Sequence, residues 1–167
     1  MIILIITKIE KQKNNNKRYS IFIDNQFAFG IDEIDLLYYK LKENEPLDND
    51  KYDYILNKLL LKRAKDKALK YLGYKMRSKK QVIKKLEEQD FPSNVINKVI
   101  KILEKYNYIN DEEFTKVFIK DKINLKGYGT FKIRYDLKML GIDEDIFKKY
   151  LYSEEFVNEE EKATSLL

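Results

Sequence analysis

The sequence predicts a mainly α-helical chain in which tandem three-helix repeats form an elongated, curved array behind a small N-terminal antiparallel β-ribbon. Three observations predict this fold class. The stretch from Ile2 to Ile31 alternates like β-strands, the chain from Asp50 onward has apolar residues at helical spacing, and two apolar patterns coincide when the sequence is shifted by 51 residues. Hydrophobic residues make up 44% of the chain and charged residues 37%, a balance that favours a folded protein over a disordered one.

The N-terminal stretch predicts three short antiparallel strands. An Ile-rich run precedes the polar loop KQKNNNK, and the next segment, RYSIFIDNQFAFGI, places Ile21 and Ile23 in alternation with their neighbours. Asp24 and Asn25 suit a two-residue turn in which both residues adopt a positive φ. Because such a ribbon is marginally stable alone, we expect it to pack on a larger element.

A short helix is expected over residues 32–42, and the segment ENEPLDND ends it. Its apolar residues are predicted to share one side of the helix; they are Ile34, Leu37, Tyr38 and Leu41. We assign residues 1–48 to an N-terminal domain made of the ribbon and this helix.

The internal repeat determines the predicted organisation of the remaining chain. The 51-residue shift aligns Leu72 with Ile123, Val82 with Ile133, Leu86 with Leu137, Phe91 with Ile142 and Val95 with Ile146. Helices are predicted near 51–72, 79–89 and 93–106 in one repeat, and near 111–125, 131–140 and 144–152 in the next. We assign residues 49–109 to the first repeat, 110–153 to the second and 154–167 to the start of a truncated third.

Capping signals support these helix starts. Ser78 with Gln81 three residues later forms a capping box, and Asn110 with Glu113 repeats the arrangement. Asp143 is expected to cap the last helix of the second repeat with its side chain.

Positive charge is concentrated in the same part of each repeat. Residues 62–85 contain eleven Lys or Arg and one acidic residue, and residues 116–138 contain seven and two, in a chain of net charge +5. A solvated helix face and a basic groove that binds a polyanion both fit this pattern. Lys79 and Lys80 favour the groove slightly, because lysines in the first turn of a helix oppose its macrodipole.

The residue inventory argues against catalysis. The chain has no His and no Cys, which excludes imidazole-based catalysis, thiol nucleophiles, disulfides and Cys/His metal sites. Its five glycines form neither a phosphate-binding loop nor a dinucleotide fingerprint, and Gly127 is better explained as a helix C-cap. We therefore predict no enzymatic activity, no cofactor and no bound metal. The apolar start is too short for a signal peptide or a membrane span, so we expect a cytoplasmic location.

Four segments are informative together. They are ITKIEKQKNNNKRYSIFIDNQFAFGI at the N-terminus, ALKYLGYKMRSKKQVIKKL in the first repeat, YINDEEF before the second repeat and KGYGTFKIRYDLKMLGI within it. These segments resemble the RecX family of regulatory proteins, which modulate the bacterial recombinase RecA. The sequence departs from the family pattern at Asp90 and Asn107, where glycine is common, and in the third repeat, which it only begins.

The resemblance implies a non-enzymatic modulator that lodges in the groove of the RecA–DNA filament and hinders ATP turnover and strand exchange in DNA recombination, DNA repair and the SOS response. The implied partners are the RecA nucleoprotein filament and single- or double-stranded DNA, with no membrane contact, and the chain is expected to act as a monomer. Charge clustering and the resemblance together give ten candidate contact residues: Lys70, Lys75, Arg77, Lys79, Lys80, Lys84, Lys85, Lys126, Lys132 and Arg134.

Two other hypotheses stay open at this point. The chain could be a helical protein that binds nucleic acid directly through phosphates, without reading its sequence. It could also be a structural scaffold whose basic face is merely solvated.

Overall fold

The computed structural model describes residues 3–152, and the expected start of a third repeat lies outside them. The strands are β1 (Leu4–Lys11), β2 (Arg18–Ile23), β3 (Gln26–Asp32) and β4 (Pro46–Leu47). The helices are α1 (Glu33–Tyr38), α2 (Asn49–Tyr54), α3 (Leu61–Tyr74), α4 (Lys79–Glu87), α5 (Ser93–Lys105), α6 (Asp111–Lys126), α7 (Thr130–Met139) and α8 (Glu144–Leu151). The predicted mainly α-helical class with an N-terminal antiparallel sheet is confirmed.

The long helices begin and end within about two residues of their predicted bounds, since periodicity and caps are local signals. One feature of the first long helix was not predicted. A π-helical segment, Ile55–Leu60, joins α2 to α3, so that residues 49–74 form one helical stretch with a local change of hydrogen bonding.

The sheet has the order β3-β2-β1-β4, and its neighbouring strands are antiparallel. The predicted turn between β2 and β3 is confirmed, because Asp24 and Asn25 have φ values of 48° and 65°. The fourth strand was not predicted. It is only two residues long, and Leu47 pairs with Leu4 at the edge of the sheet.

The predicted buried apolar side of helix α1 is wrong. Ile34, Leu37 and Tyr38 are 76%, 69% and 76% exposed, and only Leu41, after the helix, is buried as expected. The physical reason is Asp35, whose carboxylate is buried and accepts two hydrogen bonds of 3.0 Å from Arg63. These bonds hold the side of α1 that carries Asp35 and the buried Leu36 inward, and the other apolar residues of the helix stay in solvent.

The described residues divide into two compact units. The first unit comprises residues 3–70 and 84–101, and the second comprises residues 71–83 and 102–152. These units do not coincide with the sequence repeats, since the turn before α4 and the first half of α4 belong to the second unit.

In the first unit, the sheet is joined to the turn between α4 and α5. Arg18 is 3% exposed and donates hydrogen bonds to Asp32, at 2.7 Å, and to the carbonyl oxygen of Gln89. The amide of Gly30 donates to the carbonyl oxygen of Asp90 at 3.0 Å. Asp90 has a φ of 58°, which explains why glycine would suit this position. The ribbon therefore packs on helical residues, as its size requires.

The second unit has a core in which α6, α7 and α8 bury their inner faces. Its buried residues are Phe114, Ile119, Ile123, Ile133, Leu137, Ile142, Phe147 and Leu151. Burying aliphatic and aromatic side chains at this density stabilises the unit by about 1.5–3 kcal/mol per side chain. The core thereby fixes α6 and α7, which carry three of the ten candidate residues.

The caps of these helices test the sequence signals. Asn110 accepts a hydrogen bond from the Glu113 amide at 3.0 Å, which confirms it as the N-cap of α6. Gly127 ends α6 in the left-handed conformation with φ 60°, which confirms the predicted C-cap. The predicted side-chain cap at Asp143 is wrong. Its backbone carbonyl oxygen begins α8 by accepting from Ile146 and Phe147, and its carboxylate makes no capping bond.

Candidate functional site

The ten candidate residues are distributed over both units. Lys70, Lys84 and Lys85 belong to the first unit. The other seven belong to the second unit and are Lys75, Arg77, Lys79, Lys80, Lys126, Lys132 and Arg134. The second unit therefore carries most of the predicted surface.

Ser78 fixes the start of α4 within the second unit. Its hydroxyl is fully buried, donates to the carbonyl oxygen of Leu140 at 2.7 Å and accepts from the Gln81 amide at 3.3 Å. The Ser78 amide donates to the side chain of Gln81 at 2.9 Å, which confirms the predicted capping box. The capping serine thus also holds the turn against the end of α7.

Lys79 has partners inside the second unit. Its ammonium forms an ion pair with Glu104 at 2.7 Å, and its amide donates to the Asp111 carboxylate at 2.8 Å. Burial raises the pKa of Asp111, and the bond from the Lys79 amide opposes this rise. Lys79, a candidate contact residue, is therefore also bonded to the start of α6.

Lys80 lies against the end of α7. Its ammonium is 3.4 Å from the carbonyl oxygen of Met139, in the last turn, where the macrodipole is negative. A Cβ at Gly141, which has φ 78°, would come within 2.6 Å of the Lys80 Cβ. The cost that Lys79 and Lys80 impose on α4 is thus offset by Glu104 and by the carbonyl end of α7.

Three further candidates have close neighbours. The Arg77 guanidinium stacks on Tyr71 at 4.1 Å from the ring centroid. Lys132 pairs with Asp136 at 2.7 Å, which raises the pKa of Lys132. Arg134 pairs with Glu144, and this hydrogen bond lowers the pKa of the Glu144 carboxyl.

Lys75 and Lys126 line one groove of about 500 Å³ in the second unit, together with Lys122. Within residues 3–152 none of these three ammonium groups forms an ion pair. One acidic side chain, Asp121, also lines the groove. The remaining lining residues are Met76, Gln81, Phe114, Val117, Phe118, Leu125 and Leu140. We call this feature the α6 groove.

Aromatic rings alternate with lysines at the turn between α6 and α7. Tyr128 lies between the ammonium groups of Lys122 and Lys132, at 5.3 and 5.8 Å from its centroid. Phe131, in the first turn of α7, is 85% exposed. Such a surface can stack on planar groups and attract anions.

Sequence reasoning missed Lys122 and Phe118. Lys122 lies 5.1 Å from the Phe118 ring and contributes to both the α6 groove and the aromatic turn. The signal was present in the sequence, since Phe118, Lys122 and Lys126 recur every four residues and so share one face of a helix.

Among residues 3–152 there is no cluster of three or more side chains suited to hold a metal ion. None of the helices in that part of the chain is both long and apolar enough to cross a bilayer.

Comparisons with known proteins agree in one family. Family models match the chain over residues 4–48 (Regulatory protein RecX N-terminal domain), 64–103 (RecX, first three-helix domain) and 110–151 (RecX, second three-helix domain). The Regulatory protein RecX of Clostridium botulinum strain Alaska E43 is 33% identical over 162 residues, which cover 96% of this chain and 75% of that protein. The Regulatory protein RecX of Clostridium beijerinckii is 36% identical over 159 residues, covering 95% and 73%.

A solved structure supports the same assignment. A crystal structure of regulatory protein RecX is 28% identical, with a TM-score of 0.59, and the match covers 96% of this chain and 78% of that chain. The sheet and the two three-helix domains thus define a helical regulatory protein. The chain belongs to the RecX family of regulatory proteins.

Proposed function

We propose that this chain binds the RecA–DNA filament and inhibits its ATP hydrolysis and strand exchange during recombination and repair, acting as a monomer in the cytoplasm and without catalysis of its own. Family membership supports a role in RecA regulation. The observation that supports the binding site is a group of three lysines, Lys75, Lys122 and Lys126, which line one groove of the second unit and form no ion pair within residues 3–152.

The physical argument concerns lysines whose positive charge is not neutralised by a neighbouring acid. Lysines that pair with neighbouring acids, such as Lys79 with Glu104, have little attraction left for a partner. Within residues 3–152, Lys75, Lys122 and Lys126 have no acidic partner, so their charges remain available to attract a binding partner. A cluster of like charge raises the local concentration of an acidic assembly. We therefore rank these three above Lys79, Lys132 and Arg134, which pair with acids, and above Lys80, which lies against the Met139 carbonyl oxygen. We retain Arg77 as a contact of the second unit and Lys70, Lys84 and Lys85 as contacts of the first.

The test is a titration of RecA ATPase on single-stranded DNA with the wild-type chain and the double variant Lys75→Glu, Lys126→Glu. We expect the half-inhibitory concentration to rise at least about tenfold, as for loss of central charged contacts. The matched control is Lys58→Glu, Lys101→Glu, which makes the same charge change at exposed positions of the first unit and should stay within about twofold of wild type. Equal effects of the two double variants would reject the site.

Direct binding to nucleic acid is the second candidate, and the aromatic turn favours it. Phe131 and Tyr128 could stack on unpaired bases while Lys122 and Lys132 meet phosphates. Fluorescence anisotropy with a labelled single strand and no RecA distinguishes the two functions. Tight, salt-sensitive binding that RecA does not alter would favour this second function.

A further inference from the structure

Helix α6 has two apolar faces. Its inner face places Phe114, Ile119 and Ile123 in the core of the second unit. On another face, Val117 and Leu125 are 38% and 76% exposed and line the α6 groove. A surface helix with a single core normally needs only one apolar stripe, so the second stripe requires its own explanation.

The dimensions of the groove fit a helix. Its α6 residues run from Phe114 to Lys126, a rise of roughly 18 Å at 1.5 Å per residue, or more than three turns. They follow the spacing i, i+3, i+4, i+7, i+8, i+11 and i+12, a continuous stripe along the helix. Met76 and Leu140 form other parts of the wall. Its α6 wall combines apolar residues, namely Phe114 at the edge of the core, Val117, Phe118 and Leu125, with charged ones, and a trough of this mixed kind suits an amphipathic helix.

The charges around the groove indicate which charged residues a bound helix should carry on its polar side. Lys75, Lys122 and Lys126 contribute three positive charges and Asp121 one negative charge, so the lining carries a net charge of +2. A bound helix with glutamate or aspartate beside its apolar stripe would place these acids next to the ammonium groups. A second copy of this surface would instead bring like charges together.

We propose that the α6 groove binds an amphipathic helix with an acidic flank, supplied by a protein partner. The inference rests on the proposed function for the source of that helix, which would be a protein of the RecA filament. Binding of the helix itself does not depend on that function and can be measured without RecA.

The probe is a fluorescein-labelled peptide of about 18 residues, roughly 27 Å long as a helix, with leucines spaced i, i+3, i+4 and i+7 and glutamates beside them. Its control peptide has the same composition in an order that gives no apolar face. Anisotropy with the full chain should show saturable binding of the amphipathic peptide and binding of the control at least about tenfold weaker.

Variants of the chain locate the bound peptide. Leu125→Glu and Lys126→Glu should each weaken binding about tenfold or more, since one removes an apolar contact and the other reverses a charge. The matched controls are Ile34→Glu, an equally exposed apolar residue of the first unit, and Lys120→Glu, an exposed lysine of α6 outside the groove. Both should stay within about twofold of wild type.

Several results would overturn the proposal. Equal binding of the two peptides, or equal losses in the groove and control variants, would show diffuse attraction in place of a groove. A concentration-dependent dimer that Leu125→Glu abolishes, seen by sedimentation velocity, would make a second copy the occupant. Tighter peptide binding after Phe156 and Val157 are changed to Ser, a change that alters no charge, would make the chain's own 153–167 segment the occupant. Peptide binding by a chain that fails to inhibit RecA would reject the proposed function alone.

Discussion

Ser78 combines a local and a distant contact in one buried hydroxyl. It caps α4 through Gln81 and also donates to the carbonyl oxygen of Leu140, sixty-two residues further along the chain. A capping serine on a solvated helix would make only the first of these bonds. The residue therefore stabilises the second unit as well as its own helix.

Replacing Ser78 with Ala should lower the free energy of unfolding by about 1–3 kcal/mol, because it leaves the Gln81 amide and the Leu140 carbonyl without their partner. Urea denaturation followed by circular dichroism measures the loss. Ser93→Ala is the control, since Ser93 is exposed at the start of α5, and it should change stability by less than about 0.5 kcal/mol. Equal losses in the two variants would contradict the account of Ser78.

Arg134 gives a second test at this scale, because its bond to Glu144 lowers the pKa of that carboxyl. A carboxyl with a lowered pKa adds stability above its ordinary value of 4.5 and loses it as the pH falls through the folded-state pKa. Arg134→Gln should raise the Glu144 pKa, as measured by carboxyl carbon NMR. The free energies of unfolding of the wild-type and Arg134→Gln proteins should differ near pH 6 and should become equal once Glu144 is protonated.

An unchanged Glu144 pKa in Arg134→Gln would show that the ion pair is not formed in solution. Arg134 would then be available to a partner. The matched control is Lys138→Gln, which removes a neighbouring positive charge that lowers the same pKa to a smaller extent.

Among the elements, the ribbon depends on a buried arginine. Arg18, the first residue of β2, pairs with Asp32, donates to the Gln89 carbonyl oxygen and packs 5.3 Å from the Phe91 ring. A charge of this kind is costly when it stays buried without its partners. The sheet and the α4–α5 turn should therefore unfold together.

Arg18→Met should destabilise the first unit by about 3 kcal/mol, because Asp32 loses its main partner and keeps only Lys67 at 3.6 Å. Hydrogen exchange at the Gly30 amide, which donates to Asp90, reports the local effect. Lys17→Met, at the adjacent exposed position, is the control. Protection of Gly30 that survives in Arg18→Met would contradict the role assigned to Arg18.

The elements also show which features a sequence can predict. Helices α3 to α8 were placed closely because apolar spacing and capping residues act within a few positions. The buried side of α1 was missed because Arg63, twenty-eight residues away, draws Asp35 inward. Neither β4, with its two residues, nor the π-helical segment leaves a periodic signal long enough to recognise.

At the scale of the whole molecule, charge clustering predicted the candidate site only in part. The count of lysines was visible in the sequence, but their partners were not. Lys79 meets Glu104 and Lys80 meets the carbonyl end of α7, and both contacts arise from the folded chain. Lys122 belongs to the site because it lies on the same face of α6 as Lys126.

The lysines that line the α6 groove also predict how salt affects binding to the filament. With Lys75, Lys122 and Lys126 engaging an acidic partner surface, a rise from 50 to 200 mM salt should weaken binding to the filament, because salt screens exposed charges. Lys75→Glu, Lys126→Glu should show a clearly smaller salt dependence, since two of these contacts are gone. Equal slopes of log affinity against log salt in the two proteins would indicate that other charges carry the binding.

Co-sedimentation with RecA filaments on single-stranded DNA tests the central claim most directly. Filaments should pellet the wild-type chain and the Lys58→Glu, Lys101→Glu control to the same extent, and should leave most of the Lys75→Glu, Lys126→Glu chain in the supernatant. Equal pelleting of all three proteins, or a wild-type chain that stays in the supernatant, would contradict the account.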